Sequence, residues 1–313
     1  MTHRSVTAPW TVDRPPIPPD HGWDIHCHTV FSDGTRTPEE LAQASLDLGL
    51  HGVSITDHDT CVGWPVMLHE ARRVGLPVLL GTEITSVLDG ASVHMLAFGY
   101  APHDQAMEMM FDGTRRSRLE RARRMVDALS RDFPITWDMV LDQAHEGDDT
   151  TIGRPHIADA LVAAGVYDSR SQAFAGVLSS SSPYYIPTPS PSALDVVRAV
   201  RTAGGVSVIA HAGDRGRGSS LLSDEGLESL ADAGLDGVEI WHRGNLVDQR
   251  VRLANFAFRR GLLMTGGSDW HGAGKPNLLG ENLTDDDTVA AIRERSVPIR
   301  ELRIQPRALS PNR

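Results

Sequence analysis

Along this chain, short apolar runs rich in β-branched residues alternate with stretches in which apolar residues return at helical spacing. The runs predict strands at 23–28, 52–57, 77–85, 92–98, 205–211, 237–241 and 262–268. Between them, helices are predicted at 38–48, 63–74, 192–203, 224–233, 246–260 and 285–295. The first carries the fullest set of signals: Thr37 as cap, Pro38 in the first turn, Glu39 and Glu40 behind it, and Gly49 at the end. This is the pattern of repeated βα units. Seven strands with covering helices suggest an α/β barrel, complete or incomplete.

The alternation breaks between 101 and 191, where the pattern is nearly all helical and then runs through the Pro- and Ser-rich loop 179–191. We read this stretch as a mostly helical insertion riding on a barrel whose two parts are 21–100 and 192–305. Residues 1–20, with Pro15, Pro16, Pro18 and Pro19, read as a flexible or polyproline-like lead-in, and 306–313 as a tail. Nothing repeats at a fixed period.

Composition narrows the picture. Hydrophobic residues make up 40% and charged residues 23% of the 313, an ordinary globular balance. No apolar run approaches the roughly 20 residues of a bilayer span, so no membrane partner is expected. Cys27 and Cys61 are the only cysteines, which implies no disulfide framework and fits a reducing cytoplasm. The net charge of −11 argues against nucleic-acid binding through a broad basic surface, and duplex DNA is not an expected partner. An anionic substrate stays open, because cations held by carboxylates reverse the local field. Fourteen histidines is a high count for this length, and their positions matter most.

The first cluster reads Asp24-Ile-His26-Cys-His28-Thr, followed by Ser32-Asp33-Gly34. Alternate residues of a strand share a face, so His26 and His28 can grip one metal ion while Asp24 orients a ring. Thr56-Asp57-His58-Asp59 closes the next strand with a density of ionisable groups that is costly to bury without cations. Glu83 follows an apolar strand, His94 lies within the next, His211 ends Val208-Ile-Ala-His, and Asp269 and His271 follow Gly266-Gly267. Each signal alone has a bland reading as a solvated loop or a satisfied core histidine. Together, six strands deliver His, Asp or Glu at or near their carboxyl ends, the active-site face of a parallel barrel. Nitrogen and oxygen donors without thiolate suit zinc, manganese or iron in a catalytic site.

These motifs, DIHCHT with SDG, TDHD, GTE, VH, AH and GSDWH, resemble the PHP (polymerase and histidinol phosphatase) family from Asp24 to about His271, in the family's order. The resemblance implies a distorted seven-stranded, TIM-like (β/α)7 barrel and a metal-dependent phosphoesterase. The inserted Gly153-Arg-Pro-His156, Tyr184-Tyr-Ile-Pro187 and the Arg-rich helix before them are similar to one branch, the nucleoside 3′,5′-bisphosphate phosphatases and RNase AM-like enzymes. That branch acts on nucleoside bisphosphates, nucleotide monophosphates or short RNA ends. Carried over, the resemblance implies two or three divalent ions. His26, His28, Glu83 and Asp269 would hold one. Glu83, His94 and His211 would hold a second, and Asp33, His58 and His271 a third. Asp24 and Asp57 are assigned to the catalytic centre as orienting carboxylates, either being able to serve as a direct ligand. At 242–245, where related sequences often carry a histidine after the strand, the chain reads His-Arg-Gly-Asn, and no role is assigned.

Two metal ions can lower the pKa of a bridging water and clamp phosphoryl oxygens, so no side-chain nucleophile is required. Arg154 and His156 are candidates for phosphate binding, although Gly153-Arg-Pro also reads simply as a helix start. Arg118 and Arg121, on a helix whose other arginines read as a solvated face, are further candidates. Tyr185 and Tyr184 are candidates for stacking on a base, with a structural role expected for at least one. The leading expectation is hydrolysis of nucleotide phosphate monoesters or short RNA ends. The alternatives are a small-metabolite phosphatase of the histidinol-phosphatase type, a metal-binding module without activity, and a hydrolase of C–N bonds. Oligomeric state is not legible.

Overall fold

The computed structural model describes residues 9–145, 149–215 and 221–297, so the tail at 306–313 and the first eight residues of the lead-in lie outside it. Seven strands form one sheet in sequence order: β1 (Trp23–Asp24), β2 (Gly52–Ile55), β3 (Val78–Leu88), β4 (Ala91–Phe98), β5 (Val206–Ile209), β6 (Gly237–Trp241) and β7 (Leu263–Gly266). Around it lie α1 (Pro38–Asp47), α2 (Trp64–Val74), α7 (Ala193–Thr202), α8 (Asp224–Ala233), α9 (Val247–Arg260) and α10 (Asp286–Arg295). Thr37 caps α1 as the sequence predicts, accepting from the Glu40 N–H while the Glu40 carboxylate accepts from the Thr37 N–H at 2.9 Å. Trp23 exchanges backbone hydrogen bonds with Thr284, and Cys27 bridges to Trp270, which nearly closes the sheet into a barrel.

One expectation needs correction. The strands are not a run of parallel βα units, because β4 is antiparallel to both β3 and β5. Asp89 (φ 50°) and Gly90 (φ 79°) join β3 directly to β4, the left-handed pair that a two-residue hairpin requires. The Asp-Gly dipeptide was the sequence signal for it. Because β4 runs backwards, His94 reaches the site from the amino-terminal half of its strand and Glu83 from the middle of β3, whereas His58, His211, Asp269 and His271 follow the carboxyl ends of β2, β5 and β7.

The main core lies between the strands and α1, α2, α7, α8 and α9. A smaller cluster, including Leu79, Leu96, Phe98 and Val208, packs with Val289 and Ile292 of α10. Arg293 of α10 donates to the Val78 carbonyl at the start of β3, so α10 lies at the end of the barrel remote from the ionisable cluster. Between β4 and α7 run α3 (Gln105–Leu129), α4 (Trp137–Leu141), α5 (Arg154–Ala163) and α6 (Arg170–Ala175), which share their own apolar cluster around Met125, Leu129, Ile157 and Leu161. The lead-in is held at its described end. Trp10 stands edge-on to Phe258 at 5.9 Å and exchanges hydrogen bonds with Asn255 of α9. Among the described residues no helix is long and apolar enough to cross a membrane.

Candidate metal centre and the cleft beside it

Regular β1 ends at Asp24, yet residues 26–28 stay extended. The His28 N–H donates to Trp270 O and the Thr56 N–H to Cys27 O, each at 2.8 Å. That extension puts His26 and His28 on one side. The donor atoms of His26, His28, Glu83 and Asp269 lie within 4.8 Å of one another. His28 Nε2 is 3.0 Å from Glu83 Oε2 and 3.3 Å from Asp269 Oδ1, and His26 Nε2 is 3.3 and 3.5 Å from the same two oxygens. Four donors held tetrahedrally about 2.1 Å from one cation are about 3.4 Å apart, so this spacing fits one ion. A second group joins His28, Asp33, His58 and His271, with His271 Nε2 3.1 Å from Asp33 Oδ1. A third joins His58, Glu83 and His94. His94 Nδ1 and His211 Nε2 approach Glu83 Oε1 at 2.7 and 2.8 Å. The structure thus gathers all nine residues singled out as metal ligands.

The decisive test of fit is what these atoms lack. His26 Nε2, His28 Nε2, Asp33 Oδ1, His58 Nδ1, Glu83 Oε2, Asp269 Oδ1 and His271 Nε2 are buried with no hydrogen-bond partner among the described residues. One such orphan costs about 1–3 kcal/mol, and seven converging on one spot match a cluster of cations. The opposite ring nitrogens of His26, His271 and His28 are occupied. His26 Nδ1 donates to Glu239 Oε1 at 2.9 Å and His271 Nδ1 to the Asp269 carbonyl at 2.8 Å. His28 Nδ1 faces Ser32 Oγ, whose own hydrogen goes to Asp57. In a neutral ring each of these bonds leaves the Nε2 lone pair aimed at the cluster.

The electrostatics agree. Burial alone would raise the Glu83 carboxyl, but the imidazoles of His58, His94 and His26 hold it well below its usual range. Asp33 and Asp269 are likewise depressed against the pull of burial, by His271 and His58 and by Lys275 and His271 respectively. Burial favours a neutral His28, yet Asp269, Glu83 and Asp33 raise it to about 9. His26 is raised too, by Glu239, Glu83 and Asp269 against burial. Burial, reinforced by Lys275 and His28, takes His271 down to about 4. His211 (φ 32°) and Asp269 (φ 54°) hold left-handed backbone conformations that non-glycine residues disfavour.

Asp24 and Asp57 lie beside the cluster and not among its groups. Asp24 accepts from the backbone N–H groups of His26, Ser268 and Gly280, and Asp57 from Thr29 N, Thr29 Oγ1 and Ser32 Oγ. Their oxygens tie strand ends together. Three contributors went unassigned in the sequence. Glu239 bonds both His26 Nδ1 and the His211 N–H (2.7 Å), and a buried acid inside the apolar run Val238-Glu-Ile was its signal. Lys275 Nζ donates to Asp269 Oδ2 at 2.8 Å. His242 is buried beside them, with Nε2 also lacking a partner.

A cleft of about 840 Å³ opens over the cluster, lined by Asp33, His58, His94 and Asp269 and by Arg118, Arg121, Arg154, Arg170, Tyr185 and Lys275. Arg118 donates to Asp59 Oδ2 at 2.9 Å and to Thr85 Oγ1 at 3.0 Å. Arg121 donates to the Ile186 carbonyl, and burial, with Arg154 nearby, lowers it to about 10. Tyr185 carries both guanidiniums, Arg121 at 5.1 Å and Arg154 at 5.4 Å from its ring centre, so it positions arginines. Tyr184 is the structural one, donating to Asp132 at 2.6 Å. His156 serves the start of α5, where its Nδ1 accepts from the Gly153 N–H at 3.1 Å, and burial lowers it to about 4. It does not line the cleft.

Comparison with known proteins agrees with this geometry. The PHP domain matches residues 24–158. A 3′,5′-nucleoside bisphosphate phosphatase of Chromobacterium violaceum is 30% identical over 253 residues, 80% of this chain and 88% of that protein. A 5′-3′ exoribonuclease of Haemophilus influenzae is 27% identical over 274 residues, 87% of this chain and 98% of that one. A crystal structure from Bifidobacterium adolescentis, described as a metal-dependent phosphoesterase, superposes with a TM-score of 0.90 at 61% identity, covering 90% of this chain and 99% of that one. With its histidines and acids gathered at one end of a seven-stranded barrel, the chain belongs to the PHP family and is a metal-dependent hydrolase of phosphoester bonds.

Proposed function

We propose that this enzyme hydrolyses phosphate monoesters of nucleotides, a nucleoside 3′,5′-bisphosphate or an AMP-like monophosphate, or the 5′ end of short RNA. The observation that carries the reading is the cleft. It leads from the buried His and carboxylate cluster to Arg118, Arg121 and Arg154, and its 840 Å³ is ample for a nucleotide within the roughly 300–1,000 Å³ of small-molecule sites. Guanidiniums match phosphate oxygens in planar pairs. Tyr185 holds two of them by cation–π contact. The relatives named as nucleoside bisphosphate phosphatase and exoribonuclease support the same substrate class.

We assign His26, His28, Glu83 and Asp269 to one divalent ion, Glu83, His94 and His211 to a second, and Asp33, His58 and His271 to a third. His58 can lean to either of the last two, since its Nδ1 is 3.3 Å from Glu83 and its Nε2 3.9 Å from Asp33. The nitrogen and oxygen donors suit manganese, iron or zinc. When bound, such ions activate water and neutralise phosphoryl charge. The chain's own part is to aim the donors. Glu239 and the Asp269 carbonyl fix the rings of His26 and His271, Asp24 and Asp57 brace the strand ends, and the arginines orient the substrate. The free thiols of Cys27 and Cys61 fit residence in the cytoplasm.

The test is a panel on protein stripped of metal and reloaded with Mn²⁺, Fe²⁺ or Zn²⁺. Its substrates are a nucleoside 3′,5′-bisphosphate, a 5′-monophosphate, short 5′-phosphorylated RNA, a ribose cyclic phosphodiester and histidinol phosphate. Nucleotides or RNA ends should lead in kcat/KM by at least about tenfold, the net worth of one ordinary hydrogen bond. Preference for histidinol phosphate would mark a small-metabolite phosphatase instead.

A further inference from the structure

The arrangement above leaves one buried imidazole without a task. His242 follows β6, is buried and lines the cleft. Its Nε2 has no hydrogen-bond partner among the described residues. Asp269 Oδ2 stands 3.7 Å away, out of hydrogen-bond reach and already accepting from Lys275. The other nitrogen is committed, because the Gly244 N–H donates to Nδ1 at 3.1 Å. A backbone N–H only donates, so Nδ1 must accept and the hydrogen of the neutral ring sits on Nε2. This is the reverse of His26 and His271, whose Nδ1 atoms donate and whose Nε2 atoms are bare. A nitrogen that carries hydrogen cannot ligate a cation. Exchanging the tautomer would set two N–H groups against each other at Gly244.

The turn that imposes this tautomer is held from several sides. The Asn245 N–H and Arg250 Nη2 both donate to the His242 carbonyl, at 3.0 and 3.1 Å. Asn245 Nδ2 donates to the carbonyls of Glu239 and Ile240. At Gly244 a Cβ would lie 2.4 Å from Asp214 Cγ, so the glycine keeps the turn close. We propose that His242 is a substrate-contacting donor, its Nε2–H bonding a phosphate oxygen of the substrate at the wall of the cleft shared with Lys275, and not a tenth metal ligand. A preorganised donor of this kind is worth about 10²–10³ in turnover.

The inference rests on the phosphoester chemistry of the site and not on the nucleotide reading. Its test therefore uses p-nitrophenyl phosphate as substrate and inorganic phosphate as competitor, on the full, metal-loaded chain. His242→Asn keeps an oxygen near Nδ1 for the Gly244 N–H but reaches nothing at Nε2, whereas His242→Gln restores a donor there. His242→Asn should keep its full metal content, raise the phosphate inhibition constant about tenfold and lower kcat/KM about 10²-fold, with His242→Gln recovering at least a tenth of the loss. Loss of one metal equivalent in His242→Asn would make the residue a ligand and overturn the proposal. So would inhibition and turnover both within about threefold of the parent, a loss of under 0.7 kcal/mol. Wild-type protein that cleaves p-nitrophenyl phosphate but no nucleotide would sink the nucleotide reading and leave this one standing.

Discussion

Loading this site with metal should expel protons, because the metal-free protein holds them where the cations belong. The perturbation is titration of metal-free protein with Mn²⁺ at pH 7. Among Asp269, Glu83 and Asp33 the buried His28 ring is raised from 6.5 to about 9, so it is charged at neutral pH, and His26 is raised as well. An ion bound at Nε2 must displace the hydrogen there. We expect release of about one to two protons per protein at pH 7, and metal affinity that climbs about tenfold per pH unit for each proton displaced, up to about pH 9. Calorimetric titration in HEPES and in Tris, whose heats of ionisation differ, counts the protons. Equal heats in the two buffers would mean that no proton leaves and that His28 is neutral in the metal-free protein. The sign for stability follows from the same shift. A raised imidazole stabilises the fold below its unfolded value of 6.5 and loses that contribution as pH climbs through about 9. The shift corresponds to about 3 kcal/mol for this fully buried group. Asp33, Glu83 and Asp269 are depressed, so their contribution is present above 3.8–4.5 and fades on acidification. His271 and His156 are lowered to about 4, so their contribution is complete only above 6.5, and metal-free protein should resist denaturant best near pH 6.5, with metal moving that optimum upward.

Three further substitutions probe other parts of the site. Glu83→Ala removes the carboxylate shared by His26, His28, His58, His94 and His211, and should abolish turnover and lower metal content while leaving far-ultraviolet circular dichroism unchanged; undiminished activity would contradict the ligand assignment. Arg118→Met deprives the buried Asp59 of its charged partner while Thr85 still donates from N and Oγ1 at 2.8 Å each, so the loss should fall near 2–3 kcal/mol in chemical denaturation, below the 3–5 typical of a fully stranded charge. A change under about 0.5 kcal/mol would mean the pair is immaterial. Gly267→Ala places a Cβ 2.4 Å from His26 Cβ and 2.8 Å from Glu239 Oε1, so it should displace that ring and weaken metal retention, measured by dialysis and elemental analysis, more than global stability.

Local patterns in the chain specify most of the elements and the ingredients of the site. Alternation of side chains along a strand and capping chemistry at Thr37 act over a few residues, so β2, β6, α1 and α8 were legible within a residue or two. The nine His and carboxylate positions stood out only in combination, since each motif alone reads equally as a solvated loop or a core histidine, and the structure brings them together. How they combine depends on contacts between distant segments. The reversal of β4, whose Asp89-Gly90 turn went unread, brings His94 to Glu83 from the opposite strand direction. Which nitrogen of each ring is free depends on partners distant in sequence, such as Glu239 for His26 at a separation of 213 residues, and on a local amide for His242. A side chain's type is written in the chain. Its tautomer, its charge and therefore its role are set by whichever groups folding brings within about 3 Å of it.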